Sequence, residues 1–528
     1  MKGKFDSILR DRSLFPEVRK TDFSTTVLLC AISLLVCCLV FYGSNSVRGT
    51  DQFWYLADVE AAIDGEPPVS NAFFPGSMLR GDVGPDKPNY ILHNGPMISI
   101  SAFIGKYTGA YRAWILINVF CHFAVALAVF LGARALTTTA IAAVVSALYL
   151  VSPLALWQTM SMLMEQYLAG VMSVVVVGYF YRQTLVGKLL FSCGIILGAL
   201  SHPIFVALGL VAGIALIVRG VTKSSPPILL TGVFALLCVI YLGNATSEIY
   251  PTGFFPKLSI LIANVVPNME SMYWYFTDQG YTLNVAILFA KITEALARQF
   301  IHPLQMPFNI FTNLALITWL WLFLVRRDQY IELLVASGTV LALYIGLIVL
   351  MQHQVRYQQL IAPVVFILIA VFLHKSPFLR NLRNRTLVAY TFVCVLVFGG
   401  YLSHLSHERA DFQGAILAEQ TRNLDFIPPN SRIVAFDCKC DQRLNYILKP
   451  RPILNIKTRY LNESAQSKVL SMFAPDYFVS SEAFLDRDFA YLSPVKSVSD
   501  SLHGTLYWFR VNTKQLHLDI RLSELGAH

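Results

Sequence analysis

Residues 113–133 read AWILINVFCHFAVALAVFLGA, a stretch with no Asp, Glu, Lys or Arg. Coiled as an α-helix, a run of this length crosses the hydrocarbon layer of a bilayer, which takes about 20 residues. The same reading extends outward along the chain. Residues 24–43, 138–158, 166–181, 189–218, 227–243, 308–325, 331–351, 358–373 and 386–404 are nearly free of charge. The 189–218 run is longer than one crossing needs, and Ser201-His202-Pro203 divides it. About eleven transmembrane helices are therefore expected. Composition agrees: 55% of the 528 residues are hydrophobic and 14% are charged, against about 25% charged in a soluble domain. So few charges cannot coat a water-facing surface.

Orientation follows from Lys and Arg, which stay on the cytoplasmic side of short loops. Lys2, Lys4, Arg10, Arg12, Arg19 and Lys20 precede the first run. Alternating the spans places Arg134, Arg182, Lys188, Arg219, Lys223, Arg326, Arg327, Lys375, Arg380, Arg383 and Arg385 on that same side. The opposite short loops, near 156–165 and 201–203, carry no Lys or Arg. The sequence thus predicts a cytoplasmic N-terminus over 1–23, a membrane domain over 24–404 and an outward tail over 405–528. The formal charge of +9 mostly reflects this bias and is not a nucleic-acid signal. The first run is span-length without an obvious small-residue cleavage site, so no cleaved signal peptide is expected. Seven cysteines (Cys30, Cys37, Cys38, Cys121, Cys193, Cys238 and Cys394) lie in the spans, where they act as small hydrophobes. Cys438 and Cys440 lie outside, and no disulfide framework is present.

Two long outward loops, 44–112 and 244–307, join the tail on one side of the membrane. In the first, Phe53, Leu56, Val59 and Ile63 recur at helical spacing, with Thr50 placed to cap the start and Gly65 the end. Asp51, Tyr55 and Asp58 share another face. This predicts a helix lying on the membrane surface. A second such helix is expected over Met97–Lys106, after Asn94-Gly95-Pro96. The second loop has amphipathic pieces near 255–265 and 283–300, the latter readable equally as a re-entrant or short spanning segment. The tail reads as a small soluble α/β unit. Residues 432–436, 452–456, 476–480 and 505–509 are strand-like, and helices are expected near 411–424 and 463–473.

Candidate chemistry gathers at the outward span ends. Glu165 sits in the tight turn between the third and fourth spans, where an ionised carboxylate is inexpensive only if water or a partner reaches it. Asp51, at the start of the surface helix, is a second acid at that face, and paired acids can divide base and positioning roles. Lys87, His93, His202 and His353 lie at the same level. So does Arg356, the single Arg or Lys of its short loop, whose fork of donors suits a phosphate. Cys438-Lys-Cys440 lacks a partner pair for metal, the Met-rich run at 160–164 reads as packing, and Asn244-Ala-Thr and Asn462-Glu-Ser match glycosylation acceptors only as short triplets. No nucleotide-binding glycine loop, metalloprotease helix or serine nucleophile elbow occurs.

The order of these features resembles the membrane glycosyltransferases of the GT-C fold, such as protein O-mannosyltransferases and the lipid A aminoarabinose transferase. Five places carry the likeness: Gly49-Thr-Asp51 with its helix; Tyr90-Ile-Leu-His-Asn-Gly-Pro96; Ser152-Pro153 followed by Glu165; Leu197-Gly-Ala-Leu-Ser-His-Pro203; and His353-Gln-Val-Arg-Tyr357 with Pro363. The sequence departs from the family pattern at Gln52, where a second acid is frequent, at Asn94-Gly95, where prolines are expected, and at His202, where Lys is common.

The resemblance implies a polyprenyl-phosphate sugar, such as an undecaprenyl phosphate sugar, as donor and a lipid, glycan or protein as acceptor. It implies transfer with inversion, Asp51 as general base and Glu165 orienting the acceptor or sharing that role. It further implies that Arg356, His93, Lys87, His202 and Tyr357 hold the donor phosphate, that Tyr55, Asp58 and His353 line the cavity, and that no metal or other cofactor is obligatory. A bacterial inner membrane fits the family's bacterial members, with the endoplasmic reticulum the other location open. Three other readings stand beside this one, one of them an inactive relative serving as an assembly subunit. A transporter or flippase would place polar residues at the bilayer midplane and often shows repeated halves, whereas no repeat is visible here. A glycan ligase or polymerase without a carboxylate base would depend on Arg356 and not on Asp51.

Overall fold

The computed structural model describes residues 50–65, 69–70, 72–73, 75–79, 89–90, 95–222, 224–249, 285–300, 306–351, 355–375, 424–436, 446–448, 451–456, 463–480, 491–500 and 504–517. The expected spans at 24–43 and 386–404, the helix near 411–424, the piece near 255–265, and Lys87, His93, His353, Cys438 and Cys440 lie outside these residues. So does the side chain of Asp51.

The chain is a helical integral membrane protein with a mixed sheet at one end. Helix α1 (Thr50–Ile63) opens the described chain, followed by strands β1 (Val69–Ser70) and β2 (Ala72–Phe73), the short helix α2 (Pro75–Leu79), β3 (Asn89–Tyr90) and helix α3 (Gly95–Thr108). The bundle is built from α4 (Ala110–Leu136), α5 (Thr139–Leu150), α6 (Pro153–Thr159), α7 (Glu165–Phe180), α8 (Leu185–Ala199), α9 (Pro203–Thr222), α10 (Pro226–Ile249), α11 (Val285–Phe300) and α12 (Met306–Met351). A 3-10 helix, η1 (Val355–Ile361), runs directly into α13 (Ala362–Lys375). Among the described residues, four helices are long and apolar enough to cross a membrane: Ala110–Leu136, Ile204–Thr222, Asn309–Val349 and Arg356–Lys375. Four apolar helices are shorter: Thr139–Leu150, Glu165–Phe180, Leu185–Ala199 and Leu229–Tyr241.

Local chemistry sets several boundaries. The expected 138–158 span is two helices, because Pro153 starts a new one whose first turn Ser152 caps, its Oγ accepting from Ala155 N at 3.4 Å. The continuous α12 is a hairpin. Trp319 Nε1 donates to Leu334 O at 2.9 Å, although fifteen residues of straight helix span about 22 Å. The reversal falls at Arg326 and Tyr330, whose φ angles of −136° and −124° leave the helical region, and so keeps 308–325 and 331–351 as separate arms. Among its neighbours, the 3-10 helix packs against α7, α12 and α6.

One end of the bundle is rich in basic residues. Arg182 pairs with Glu332 and lies 4.6 Å from the Tyr179 ring centre, and Lys375 Nζ lies 5.9 Å from the Tyr330 ring. At the other end stands the sheet, in the order β2, β5 (Ile453–Ile456), β4 (Ile433–Phe436), β6 (Tyr477–Ser480), β8 (Gly504–Val511), β7 (Leu492–Asp500). The strands β2, β5, β4 and β6 are parallel, and β8 and β7 close the sheet antiparallel. Helix α14 (Glu463–Phe473) covers one face.

Two features here differ from expectation. The first loop supplies an edge strand to the tail's sheet: Ala72 pairs with Ile453 and Phe73 with Leu454, while Met78 of α2 is fully buried and Phe73 packs on Phe473 at 5.9 Å. Helix α1 does not lie on a surface. Phe53, Tyr55, Leu56, Ala57, Asp58, Val59 and Ala61 are all buried, so both its apolar and its polar faces are covered. The bundle covers one side through Trp114, stacked 5.1 Å from Tyr55, and the tail covers another through Tyr446, 5.5 Å from Phe53. Tyr446 Oη donates to Glu60 at 3.2 Å. Burial first, and then Glu60, raise the pKa of this phenol, so it remains the proton donor. Helix α3 keeps the predicted amphipathic character: Met97, Ile98, Ser101, Ala102 and Gly105 are buried while Ile100, Phe103 and Tyr107 stand exposed.

Candidate functional site

The turn between α6 and α7 is held by two helices, α4 and α1, before any charge enters the account. Asn118 of α4 donates its Nδ2 to Ser161 O at 2.8 Å, Trp114 Nε1 to Leu163 O at 3.4 Å, and Met162 N donates to Gln52 Oε1 of α1 at 3.1 Å. Tyr55 Oη reaches Met164 Sδ at 3.2 Å. These bonds satisfy turn carbonyls and amides that burial would otherwise leave orphaned. The Met-rich run therefore packs, as its composition suggests: Met162 is fully buried and Met164 nearly so.

This framework delivers Glu165 to the first turn of α7, where a carboxylate also meets the positive end of the helix dipole. It is 5% exposed, and its Oε1 lies 3.1 Å from Nε of Arg356, itself 17% exposed. The guanidinium also lies 5.5 Å from the ring centre of Tyr357, which is buried. Two charges far apart in the sequence thus meet at the end of the bundle that carries the sheet.

A neutral knot fixes the same two segments beside the ion pair. Gln359 Nε2 donates to Gln166 Oε1 at 2.7 Å and to Tyr149 Oη at 2.9 Å, and Gln166 Nε2 reaches the same Oη at 3.1 Å. Gln358 is bonded to Asn309 and accepts from Thr312 Oγ1 at 2.6 Å. Asn309 Nδ2 in turn donates to Gln299 O at 2.8 Å, and Tyr344 Oη to Gln299 Oε1 at 2.9 Å. The 3-10 helix is therefore tied to α5, α7 and α12 by the amides of Gln358 and Gln359, and α12 in turn to α11. Sequence reading missed these glutamines, whose only signal is their presence inside apolar runs.

Of the expected site residues, Glu165, Arg356 and Tyr357 come together. Tyr55 stands against the same turn through Met164, and Asp58, 2% exposed, lies one helical turn further along α1. Asp51 belongs to the first turn of α1, next to the Gln52 that bonds Met162. His202 heads α9, where its Nδ1 accepts from Ile204 N at 3.2 Å. Its neighbour Ser201 lies 3.3 Å from the hydroxyl of Tyr167, two residues beyond Glu165. Among the described residues, no three His, Cys, Asp or Glu side chains gather to hold a metal ion.

The fold and the site together define a polytopic helical membrane protein with a buried acid against a half-buried arginine at the sheet-bearing end of its bundle. Among solved structures the chain is similar to the crystal structure of an oligosaccharyltransferase from Archaeoglobus fulgidus in complex with Zn and sulfate. That likeness has 13% identity and a TM-score of 0.48, over 91% of this chain and 72% of the other. It is similar also to ArnT from Cupriavidus metallidurans bound to undecaprenyl phosphate, at 14% identity and a TM-score of 0.43 over 92% and 97% of the two chains. ArnT from the same organism in the apo state gives 13% and 0.43, over 93% and 98%. No family model matches the sequence, and no curated protein matches it. Likenesses this distant carry no residue-by-residue correspondence.

Proposed function

We propose that the chain is a membrane glycosyltransferase that moves a sugar from a polyprenyl phosphate to an acceptor hydroxyl at the sheet-bearing face. The observation that carries this reading is the contact of 3.1 Å between the buried Glu165 and the half-buried Arg356. Removing such a pair from water costs more than its attraction returns unless further groups satisfy it. A place in phosphate chemistry gives a reason for its position. Arg356 carries a planar guanidinium with five N–H donors, a fork whose geometry suits phosphate oxygens, and Glu165 stands beside it. In the reaction, Asp51 takes the proton of the acceptor hydroxyl, whose oxygen bonds the anomeric carbon as the carbon–oxygen bond to phosphate breaks. The electron pair leaves on the lipid phosphate, and Arg356 stabilises the charge that develops there. Attack from the face opposite the leaving group inverts the anomeric carbon. The gathering of Arg182 and Lys375 at the opposite end supports a cytoplasmic location for that end and an outward one for the site, as in a bacterial inner membrane.

The test uses purified protein, with undecaprenyl phosphate as the probe of binding and an undecaprenyl phosphate sugar with an acceptor alcohol as the probe of transfer. Arg356→Gln is expected to weaken binding at least tenfold, roughly the loss of one charge-assisted contact. Asp51→Asn is expected to keep binding and lose sugar transfer. Wild-type protein that does not bind the lipid phosphate would end this reading, and transfer at full rate by Asp51→Asn would remove Asp51 from it.

A further inference from the structure

The turn that carries Glu165 has a second polar cluster that the ion pair does not use. Gln158, at the end of α6, and Asn118, in the third turn of α4, are both fully buried. Asn118 Nδ2 lies 3.4 Å from Gln158 O and 2.8 Å from Ser161 O, so the two residues are neighbours. Yet Gln158 Nε2, Gln158 Oε1 and Asn118 Oδ1 have no hydrogen-bond partner among the described residues. Buried amide atoms left unpaired are costly and call for a physical explanation. Helix α6, which carries Gln158, packs against η1, which carries Arg356.

We infer that Gln158 and Asn118 bind the hydroxyl groups of the donor's sugar, an inference that rests on the transferase reading above. The chemistry of the unmet atoms points to this ligand class. Two of the three are acceptors and one is a donor. A phosphate dianion brings only acceptors and satisfies one of them, whereas a row of sugar hydroxyls both donates and accepts and satisfies all three. The sugar is covalently joined to the phosphate assigned to Arg356 on the adjoining element, so its hydroxyls are the nearest ones available. The three atoms are sealed from solvent, so binding of the sugar requires a local opening around Gln158.

The experiment compares binding of bare undecaprenyl phosphate, a panel of undecaprenyl phosphate pentoses and hexoses, and the matching free methyl glycosides. It uses wild-type protein, Gln158→Met and Gln158→Leu, each checked for its melting temperature. Both variants are expected to melt at or above wild type, since they remove an orphaned amide. They are expected to bind the bare lipid phosphate as wild type does, and to lose about tenfold of the preference for a glycosylated lipid. A preference kept in a folded variant overturns the inference and leaves the amides to buried water. No preference by wild type for any panel member also overturns it. Binding of free glycosides that depends on Gln158, without an effect on the donor, would move the hydroxyls to the acceptor and overturn the donor assignment. Failure of wild type to bind the bare lipid phosphate would instead sink the transferase reading itself.

Discussion

Arg356 and Glu165 are each costly near the buried end of a helical bundle, and the 3.1 Å contact between them offsets part of that cost. Removing one partner leaves the other charged in a largely buried place, at a cost of up to about 3–5 kcal/mol. Glu165→Leu and Arg356→Met alone are therefore expected to lower the melting temperature clearly. The double variant should melt near wild type while failing to bind undecaprenyl phosphate. Equal losses of stability in the single and double variants would show that the pair is not what balances these charges. Both residues were legible in the sequence because a lone charge in a short apolar loop stands out. Gln166 and Gln359 were not, since an uncharged amide inside an apolar run looks like an ordinary interruption until its partner from another helix is seen. Gln359→Leu is expected to destabilise by about 1–3 kcal/mol, the usual cost of unmaking buried hydrogen bonds and leaving partners unsatisfied, and urea unfolding would measure it.

Among elements, the helices were read from apolar runs and their packing was not. Helices α7 and α8 touch through glycines: a Cβ on Gly178 would collide with the backbone of Phe191, and one on Gly194 would stand 2.8 Å from the side chain of Val175. Small residues at such contacts let helix backbones approach closely inside a membrane. Gly178→Ala is expected to push the pair apart at a cost of about 1–3 kcal/mol, seen as a lower melting temperature in detergent. Val186→Ala, on an exposed face of α8, should melt like wild type and serves as the control. Helix α1 was legible as a helix, with Gly65 ending it at φ +79°. Its environment was not, because an apolar stripe identifies the first surface a helix meets. The second surface, supplied by Tyr446 from the tail, leaves no periodic trace in residues 50–63.

Over the whole molecule, bundle and tail were legible as separate units from composition, whereas their joining was not. A two-residue strand such as β2 is too short to show alternation, yet it extends the tail's sheet beside Ile453 and Leu454. Phe73→Asp is expected to free this edge, because a carboxylate replaces a side chain that is 5% exposed against Phe473. Limited proteolysis should then cut the first loop rapidly, while the helical bundle keeps its circular dichroism spectrum. Unchanged cleavage would mean that α1, α3 and the Tyr446–Glu60 bond hold the loop without the strand.

That strand also imposes an order on biosynthesis. A ribosome releases Ala72 and Phe73 early and their partners Ile453 and Leu454 only after the helices α3 to α13 have been made. Until then the first loop is an unfinished edge exposed to proteases and chaperones. Nascent chains stalled before residue 450 should present a protease-sensitive loop, and chains released after the tail should not.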